Sequence, residues 1–422
     1  MCPVTRRLAA VDEANLVLDH AGQVNAFLVA GLLAPGGFVR PDGSPDLTAL
    51  RASLRERIKT LPQLRKMAHV TRRRHRWVEV QPDLEYHIRL VGAVGGLAGL
   101  EQKCGELMNV PLGLDRPLWE ILVVPGAAVG AVGIVLRIHH AVADGMAAVT
   151  IVQELFDPAA ARSTVAYVPL VQPTGKAPRR DVRHVFGMLR YGLRRIRMTL
   201  SGREVGSTVL LGELSPQRGV VFLDVDLAAL EGHVRRFGAT VNDALLAAVA
   251  VGHRAVLSAA GEQIPARLPV SVPVALQRRG TAGNQVGVML VRLPLGEVEP
   301  DVRVRGIAEQ TRKEKALARE QGTLEFMRGP IGARIMDRVG RRQHLVAGFV
   351  TNVPGQADTF RLAGAPVVAI WPVAVLAANV RLGVAAVSYA GRLRCGIHFD
   401  AEHVPGAAFA RAMGAELARL AI

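Results

Sequence analysis

Ile138-His139-His140-Ala141-Val142-Ala143-Asp144-Gly145 is the stretch on which the reading of this chain turns. It continues Gly133-Ile134-Val135-Leu136-Arg137, an apolar, β-branched run predicted as a buried strand. A strand that ends on two adjacent histidines sends their side chains to opposite faces, so only one of them faces a given cleft. Asp144 comes four residues after His140, and Gly145 allows a tight turn before a predicted helix to Leu155. That spacing places a carboxylate where it can fix the loop or orient an imidazole. A neutral imidazole can take a proton from a hydroxyl or an amine. There is no Gly-x-Ser-x-Gly elbow, so the chemistry reads as direct transfer with a His base and not as a covalent acyl-enzyme. Metal ligation is the other use of paired histidines. His-Glu-x-x-His is absent, however, and no carboxylate or cysteine cluster completes a site.

Working outward, Trp119-Glu120-Ile121-Leu122-Val123-Val124 is a second apolar run, joined to the first by a Gly-rich turn, and the two are predicted to be neighbouring strands. Before them come a helix-like segment leading into a strand at Asn25–Leu33, and an amphipathic helix over 47–66 ended by Pro62. Trp77–Val80 and Tyr86–Leu90 alternate as strands do. Residues 157–181 carry Pro158, Pro169, Pro173 and Pro178 without periodicity and read as a linker. Residues 182–200 form a basic amphipathic helix, suited either to packing on the protein or to lying on an anionic membrane. Beyond it are a strand at 220–226, a helix at 227–236 and a long Ala-rich helix opened by Thr240-Val241-Asn242-Asp243. Strands at 268–274 and 286–293, a charged helix at 303–319 and a final helix at 407–420 follow. Leu362–Val380 is uncharged and near membrane-spanning length. Gly364, Pro366, Pro372 and Asn379 interrupt it, so it reads as two buried strands with a turn.

The chain has 422 residues, room for two or three domains. With 50% hydrophobic and 21% charged residues, it is not a disordered chain. Fifty-two Lys and Arg against 36 Asp and Glu give a formal charge of +16, which suits anionic partners. Only 4% of residues are aromatic and no recognition motif is present, which argues against nucleic acid. Cys2, Cys104 and Cys395 give neither a disulfide framework nor metal spacing, and no secretory signal is seen, so the expected location is cytoplasmic, with a peripheral place at the membrane as the alternative.

His-His-x-x-x-Asp-Gly resembles the signature of the coenzyme-A-dependent acyltransferase superfamily, which includes chloramphenicol acetyltransferase and peptide-synthetase condensation domains. Within it, the chain resembles the bacterial wax ester synthase/diacylglycerol acyltransferase family. The elements that agree run in order: Leu54-Arg55-Glu56-Arg57-Ile58 with Pro62-Gln63-Leu64-Arg65, and Trp77 with Asp83-Leu84-Glu85-Tyr86-His87-Ile88-Arg89. Next come Asp115-Arg116-Pro117-Leu118-Trp119-Glu120, Thr240-Val241-Asn242-Asp243 and Gly283-Asn284. Thr351-Asn352-Val353-Pro354-Gly355 and Ser388-Tyr389-Ala390-Gly391 close the series. The resemblance covers nearly the whole chain.

It implies an α/β fold of two chloramphenicol-acetyltransferase-like domains with an active-site channel between them. The halves would be 1–160, carrying the motif, and 206–422, with a linker at 161–205. His140 would be the general base on an acceptor hydroxyl, His139 structural, and Asp144 the holder of the loop through a buried cation, for which Arg65 is the candidate. Gly145 completes the motif. Asn284 would lie near the tetrahedral oxyanion. Asn242 and Asp243 would shape the acceptor side or cap their helix. Pro117, Leu118 and Trp119 would pack at a domain contact, and Asn352, Pro354 and Gly355 would form the turn of a strand that crosses between the halves. No cofactor or metal is implied. Acyl-CoA would be the donor, an acidic acyl carrier protein being an alternative, and the acceptor a long-chain alcohol or diacylglycerol.

Two segments depart from the family pattern, Leu211–Arg218 and the short Gln277-Arg278-Arg279-Gly280. They motivate a rival reading, an acyltransferase of a specialised natural-product pathway that forms an ester or amide. The basic helix motivates a third, a non-catalytic protein of membrane or lipid-droplet surfaces, which the intact His140, Asp144 and Gly145 argue against.

Overall fold

The computed structural model describes residues 5–20, 22–70, 75–143, 145–157, 203–276, 285–321, 330–355 and 357–422. The linker from 158 onward, the basic helix at 182–200, Gln277–Gly280, Gly283-Asn284 and Asp144 lie outside them. The first half contains β1 (Thr5–Arg7), α1 (Ala10–Val17), β2 (Ala26–Leu33), α2 (Leu47–Thr60), β3 (Lys66–His69), β4 (Arg76–Glu79), α3 (Leu84–His87), β5 (Ile88–Leu90), α4 (Gly96–Leu107), β6 (Trp119–Ala128), β7 (Ala131–His139) and α5 (Gly145–Leu155). The second contains β8 (Arg218–Asp226), α6 (Leu227–Arg235), α7 (Val241–Ala259), β9 (Arg267–Leu276), β10 (Gln285–Pro294), α8 (Pro300–Gln321), α9 (Pro330–Gly340), β11 (Phe349–Val353), β12 (Arg361–Leu362), β13 (Ala365–Val373), β14 (Leu382–Tyr389), β15 (Arg392–Asp400) and α10 (Gly406–Arg419).

The expected hairpin is present: β6 and β7 run antiparallel, with Trp119 opposite Ile138, and turn at Gly130 with a φ of 65°. Their alternation divides the core. Ile134, Leu136 and Ile138 join the apolar cluster under α2 and α5, while Val135 joins the one under α4. Helix α2 is held by Leu50 and Leu54, both fully buried, at roughly 1.5–3 kcal/mol each. Its N-terminus is capped by Asp46, which accepts from the Ala49 N–H at 3.0 Å. In the second half, α7 is buried on nearly every side from Asp243 to Ala250, which explains its alanines: small side chains let the sheet and α10 approach closely.

Two six-stranded sheets result, ordered β12-β13-β2-β7-β6-β5 and β10-β9-β11-β14-β15-β8, with a small β1-β4-β3 sheet beside the first. The sequence boundary at 206 is therefore not a spatial one for every residue. After β11 the chain leaves the second sheet and adds β12 and β13 to the first, where β13 pairs antiparallel with β2. β13 also packs against β14 and β15. There Gly396 faces the Pro372 carbonyl, which a Cβ would meet at 2.0 Å.

Two other expectations change. Tyr86–Leu90 is not one strand: Asp83 caps a helical turn, its carboxylate accepting from the Glu85 N–H at 3.0 Å, and only Ile88–Leu90 pairs with β6. Leu362–Val380 holds one long strand, β13, preceded by the two-residue β12. Val373–Leu376 does not form the second strand, because Ala377–Val380 is drawn into a turn that docks on Gln23, Gln343 and Gly212. Among the described residues no helix is long and apolar enough to cross a membrane.

Candidate active site

Strand β7 ends on His139, and the two histidines part there as alternation requires. His139 is fully buried. Its backbone N–H donates to the Leu118 carbonyl at 3.0 Å, and its ring Nδ1 accepts the Ala141 N–H at 2.9 Å. Because Nδ1 accepts, the neutral ring carries its proton on Nε2. Nε2 lies 3.3 Å from Asp19 Oδ2, close enough for an ionic contact but not aligned as a hydrogen bond. The next backbone carbonyl and amide are held as well. His140 donates its N–H to the Asn25 carbonyl at 3.0 Å and accepts from the Asn15 side-chain amide at 3.2 Å.

The His140 ring meets Phe27 edge to face, with centroids 5.3 Å apart. Part of the residue remains accessible, yet the protein around it is dense. Burial, and secondarily the neighbouring His139, push its pKa down to about 4, so the ring is neutral at pH 7. Phe27, Val29 and Gly31 share one face of β2. On that face lies a small apolar cavity beneath α5, lined by Val29, Gly31, Leu136, Val152, Phe156 and Phe360 among others. The exit of α5 is pinned by Asp157, which pairs with Arg57 and accepts the Gly364 N–H.

The Pro117-Leu118-Trp119 element buttresses this site. Leu118 supplies the carbonyl that holds His139, and Trp119 is buried with its indole N–H donating to the Leu64 carbonyl at 2.8 Å. His87 stacks on Trp119 at 4.4 Å and its Nδ1 contacts the Trp119 carbonyl at 2.7 Å. The neighbouring Glu120 joins buried Arg137 to Arg89 across β7, β6 and β5.

The other residues singled out in the sequence scatter. Arg65 pairs with Glu79 at 2.8 Å. Gly145 opens α5; Asp144 and Asn284 lie outside the described residues. Both oxygens of Asp243 are engaged within the second half: Oδ2 accepts from the Thr240 N–H and hydroxyl, and Oδ1 accepts from the Thr311 hydroxyl at 2.7 Å. This is a capping box that also ties α7 to α8. Asn242 sits partly exposed in the first turn of α7. Asn352 lies in β11 opposite Ala386, and Pro354 and Gly355 follow as the chain leaves the second sheet. Gly355 donates its N–H to the Ser388 hydroxyl, and a Cβ there would meet the Ser388 carbonyl at 1.9 Å. Tyr389 of the Ser-Tyr-Ala-Gly element donates to the Val367 carbonyl at 2.8 Å and so ties β14 to β13.

Asn15, Asp19 and Asn25 were not foreseen. Their signal, polar residues closing α1 and opening β2, is common to many helix–strand junctions. Among the described residues no group of His, Cys, Asp and Glu side chains gathers as a metal site.

The family model for the wax ester synthase/diacylglycerol acyltransferase catalytic domain matches residues 8–245, and that for the WS/DGAT C-terminal domain matches 282–420. A protein of Mycobacterium tuberculosis named as a diacylglycerol O-acyltransferase is 29% identical over 360 residues, covering 77% of this chain and 76% of its own. Another from the same organism, also so named, is 27% identical over 424 residues, covering 92% and 91%. The solved wax ester synthase/diacylglycerol acyltransferase from Marinobacter aquaeolei VT8 superposes with a TM-score of 0.73 at 19% identity, covering 98% of both chains.

Proposed function

Because the chain belongs to the wax ester synthase/diacylglycerol acyltransferase family and is an acyltransferase, we propose that it moves a fatty acyl group from acyl-CoA to the hydroxyl of a diacylglycerol or long-chain alcohol, with His140 as general base. The observation that carries this reading is the neutral His140 ring, held at the end of a buried strand on the sheet face that also bears the apolar cavity. His140 takes the hydroxyl proton as the acceptor oxygen bonds to the thioester carbonyl carbon. The tetrahedral species collapses, the C–S bond breaks, and the imidazolium returns the proton to the departing CoA sulfur. The proton count closes with the ring neutral again. Asp144 and Asn284 complete this reading as holder of the motif loop and oxyanion donor. The apolar lining beneath α5 suits a hydrocarbon substrate, and the diacylglycerol acceptor is favoured by the names of the mycobacterial relatives.

Thiol release from palmitoyl-CoA, with and without hexadecanol or diolein, tests the proposal. The parent should release thiol only with acceptor and yield ester. His140→Ala should lose turnover by a factor of about 10²–10⁴, the range of a general base. Equal turnover in parent and variant would sink the mechanism. Silence of a folded parent with both acceptors would move the reading to a specialised acceptor or a carrier-bound donor.

A further inference from the structure

Three residues, Asn15 at the end of α1 and Asp19 and Asn25 in the connection to β2, enclose the His140 backbone on both its N–H and its carbonyl side. Asp19 Oδ1 accepts the Asn25 N–H at 2.8 Å, and the Asn25 carbonyl accepts the His140 N–H at 3.0 Å. The Asn15 side-chain amide donates to the His140 carbonyl at 3.2 Å, while the Asn15 carbonyl accepts from the Asn25 side chain at 2.8 Å. His140 is thus held at its N–H and its C=O by residues that also hold each other. Asn25 is buried, and the Asp19 side chain is 9% exposed.

Asp19 acts on a second point. Its free oxygen, Oδ2, is the anionic group beside His139 Nε2, and that N–H has no other acceptor among the described residues. The opposite ring nitrogen accepts the Ala141 N–H, and the His139 carbonyl accepts the Val142 N–H at 2.9 Å, so the ring anchors the turn that contains His140. A proton moved from Nε2 to Nδ1 would set two N–H groups against each other at Ala141 and push that turn apart. A carboxylate at Nε2 keeps the proton on the side that leaves the turn intact.

We propose that Asp19 is a positioning residue: it fixes the His139 tautomer and, through Asn25, the His140 peptide, and so aims the His140 ring at the acceptor hydroxyl. This inference rests on the acyltransfer reading above.

Asp19→Asn is the informative variant. It can keep an oxygen for the Asn25 N–H while placing an amide NH₂ where Oδ2 stood, a donor against a donor. Histidine-selective ¹⁵N labelling with long-range ¹H–¹⁵N correlation reports which ring nitrogen holds the proton. The parent should show His139 protonated on Nε2. In Asp19→Asn the proton should move toward Nδ1, with kcat down about 100-fold, the cost of roughly 1 Å of misplacement, and KM for palmitoyl-CoA within about threefold of parent. Turnover equal to parent, or lost turnover with the proton still on Nε2, would overturn the proposal. Should Asp19→Asn fail to fold by circular dichroism, Asn15→Ala removes the grip on the His140 carbonyl and a long 3.3 Å contact to the Asn25 amide, which keeps the Asn15 backbone carbonyl as its acceptor. It should lower kcat about tenfold with the His139 tautomer unchanged, and parent-like kcat there counts against the cradle. A parent that releases no thiol, yet whose His139 proton moves in Asp19→Asn, tells against palmitoyl-CoA and the lipid acceptors as its substrates and upholds the cradle.

Discussion

Burial holds the His140 ring neutral well below the pH of a cell, and this sets the shape of its pH dependence. A general base works in its unprotonated form, so activity is lost as pH falls through its pKa. With that pKa pushed down to about 4, kcat/KM should be flat from about pH 6 to 8 and should decline only in acid, below the ordinary histidine range near 6.5. A pH profile of kcat/KM with palmitoyl-CoA and diolein checks this. An acid limb centred between pH 6 and 7 would show that the working base is a solvated histidine and not the shielded His140. The same residue shows how much of the site could be read from sequence. Alternation alone says that His139 and His140 part company, and the structure agrees. Which residues hold them was not legible, because Asn15, Asp19 and Asn25 reach the motif through a turn whose polar residues carry no periodicity.

At the scale of elements, apolar alternation and caps made most strands and helices legible. β6, β7, α2, α7 and the final helix lie where spacing placed them. What failed was what no local pattern encodes. Nothing within Tyr86–Leu90 says that Asp83 will cap a helical turn there, and nothing within Leu362–Val380 says that its first strand will pair with β2 more than 300 residues earlier in the chain. Asp243 illustrates a residue type that permits two roles until partners are seen. With both oxygens engaged by Thr240 and Thr311, Asp243→Ala should lower stability by about 1–3 kcal/mol, as loss of a cap and of a buried hydrogen bond implies, with kcat close to parent. Urea unfolding and thiol-release kinetics on the same preparation check both halves of that statement. A large drop in kcat with an unchanged urea midpoint would return Asp243 to the acceptor site.

Across the whole molecule, the turn that cradles the motif also touches the second half. Gln23 accepts the Ala378 N–H at 2.7 Å, and His20 lies 3.4 Å from Asp337 and 2.7 Å from Arg341. With β12 and β13 pairing into the first sheet, the two halves are fastened along one edge of β2 and at the turn before it, so loss of one core should be felt by the other. Acid is a way to apply that load. His253 and His398 are buried, each with Nδ1 on a backbone carbonyl and Nε2 without a partner among the described residues. Protonation would bury an unpaired N–H and a charge, and burial accordingly pushes both down to about 4. Between about pH 6.5 and 4 the unfolded chain binds protons at these two sites that the folded chain refuses, so stability falls as pH falls through that window. Each fully differing site contributes about 1.4 kcal/mol per pH unit. His398→Asn can keep a donor for the Ala374 carbonyl and cannot titrate, so its unfolding free energy should lose less than the parent's between pH 6.5 and 4.5, by up to about 2–3 kcal/mol. Urea titrations at the two pH values measure the difference. Identical pH slopes in parent and variant would mean that His398 takes up its proton in the folded protein as readily as in the unfolded chain, and that the Asp400 carboxylate nearby offsets its burial.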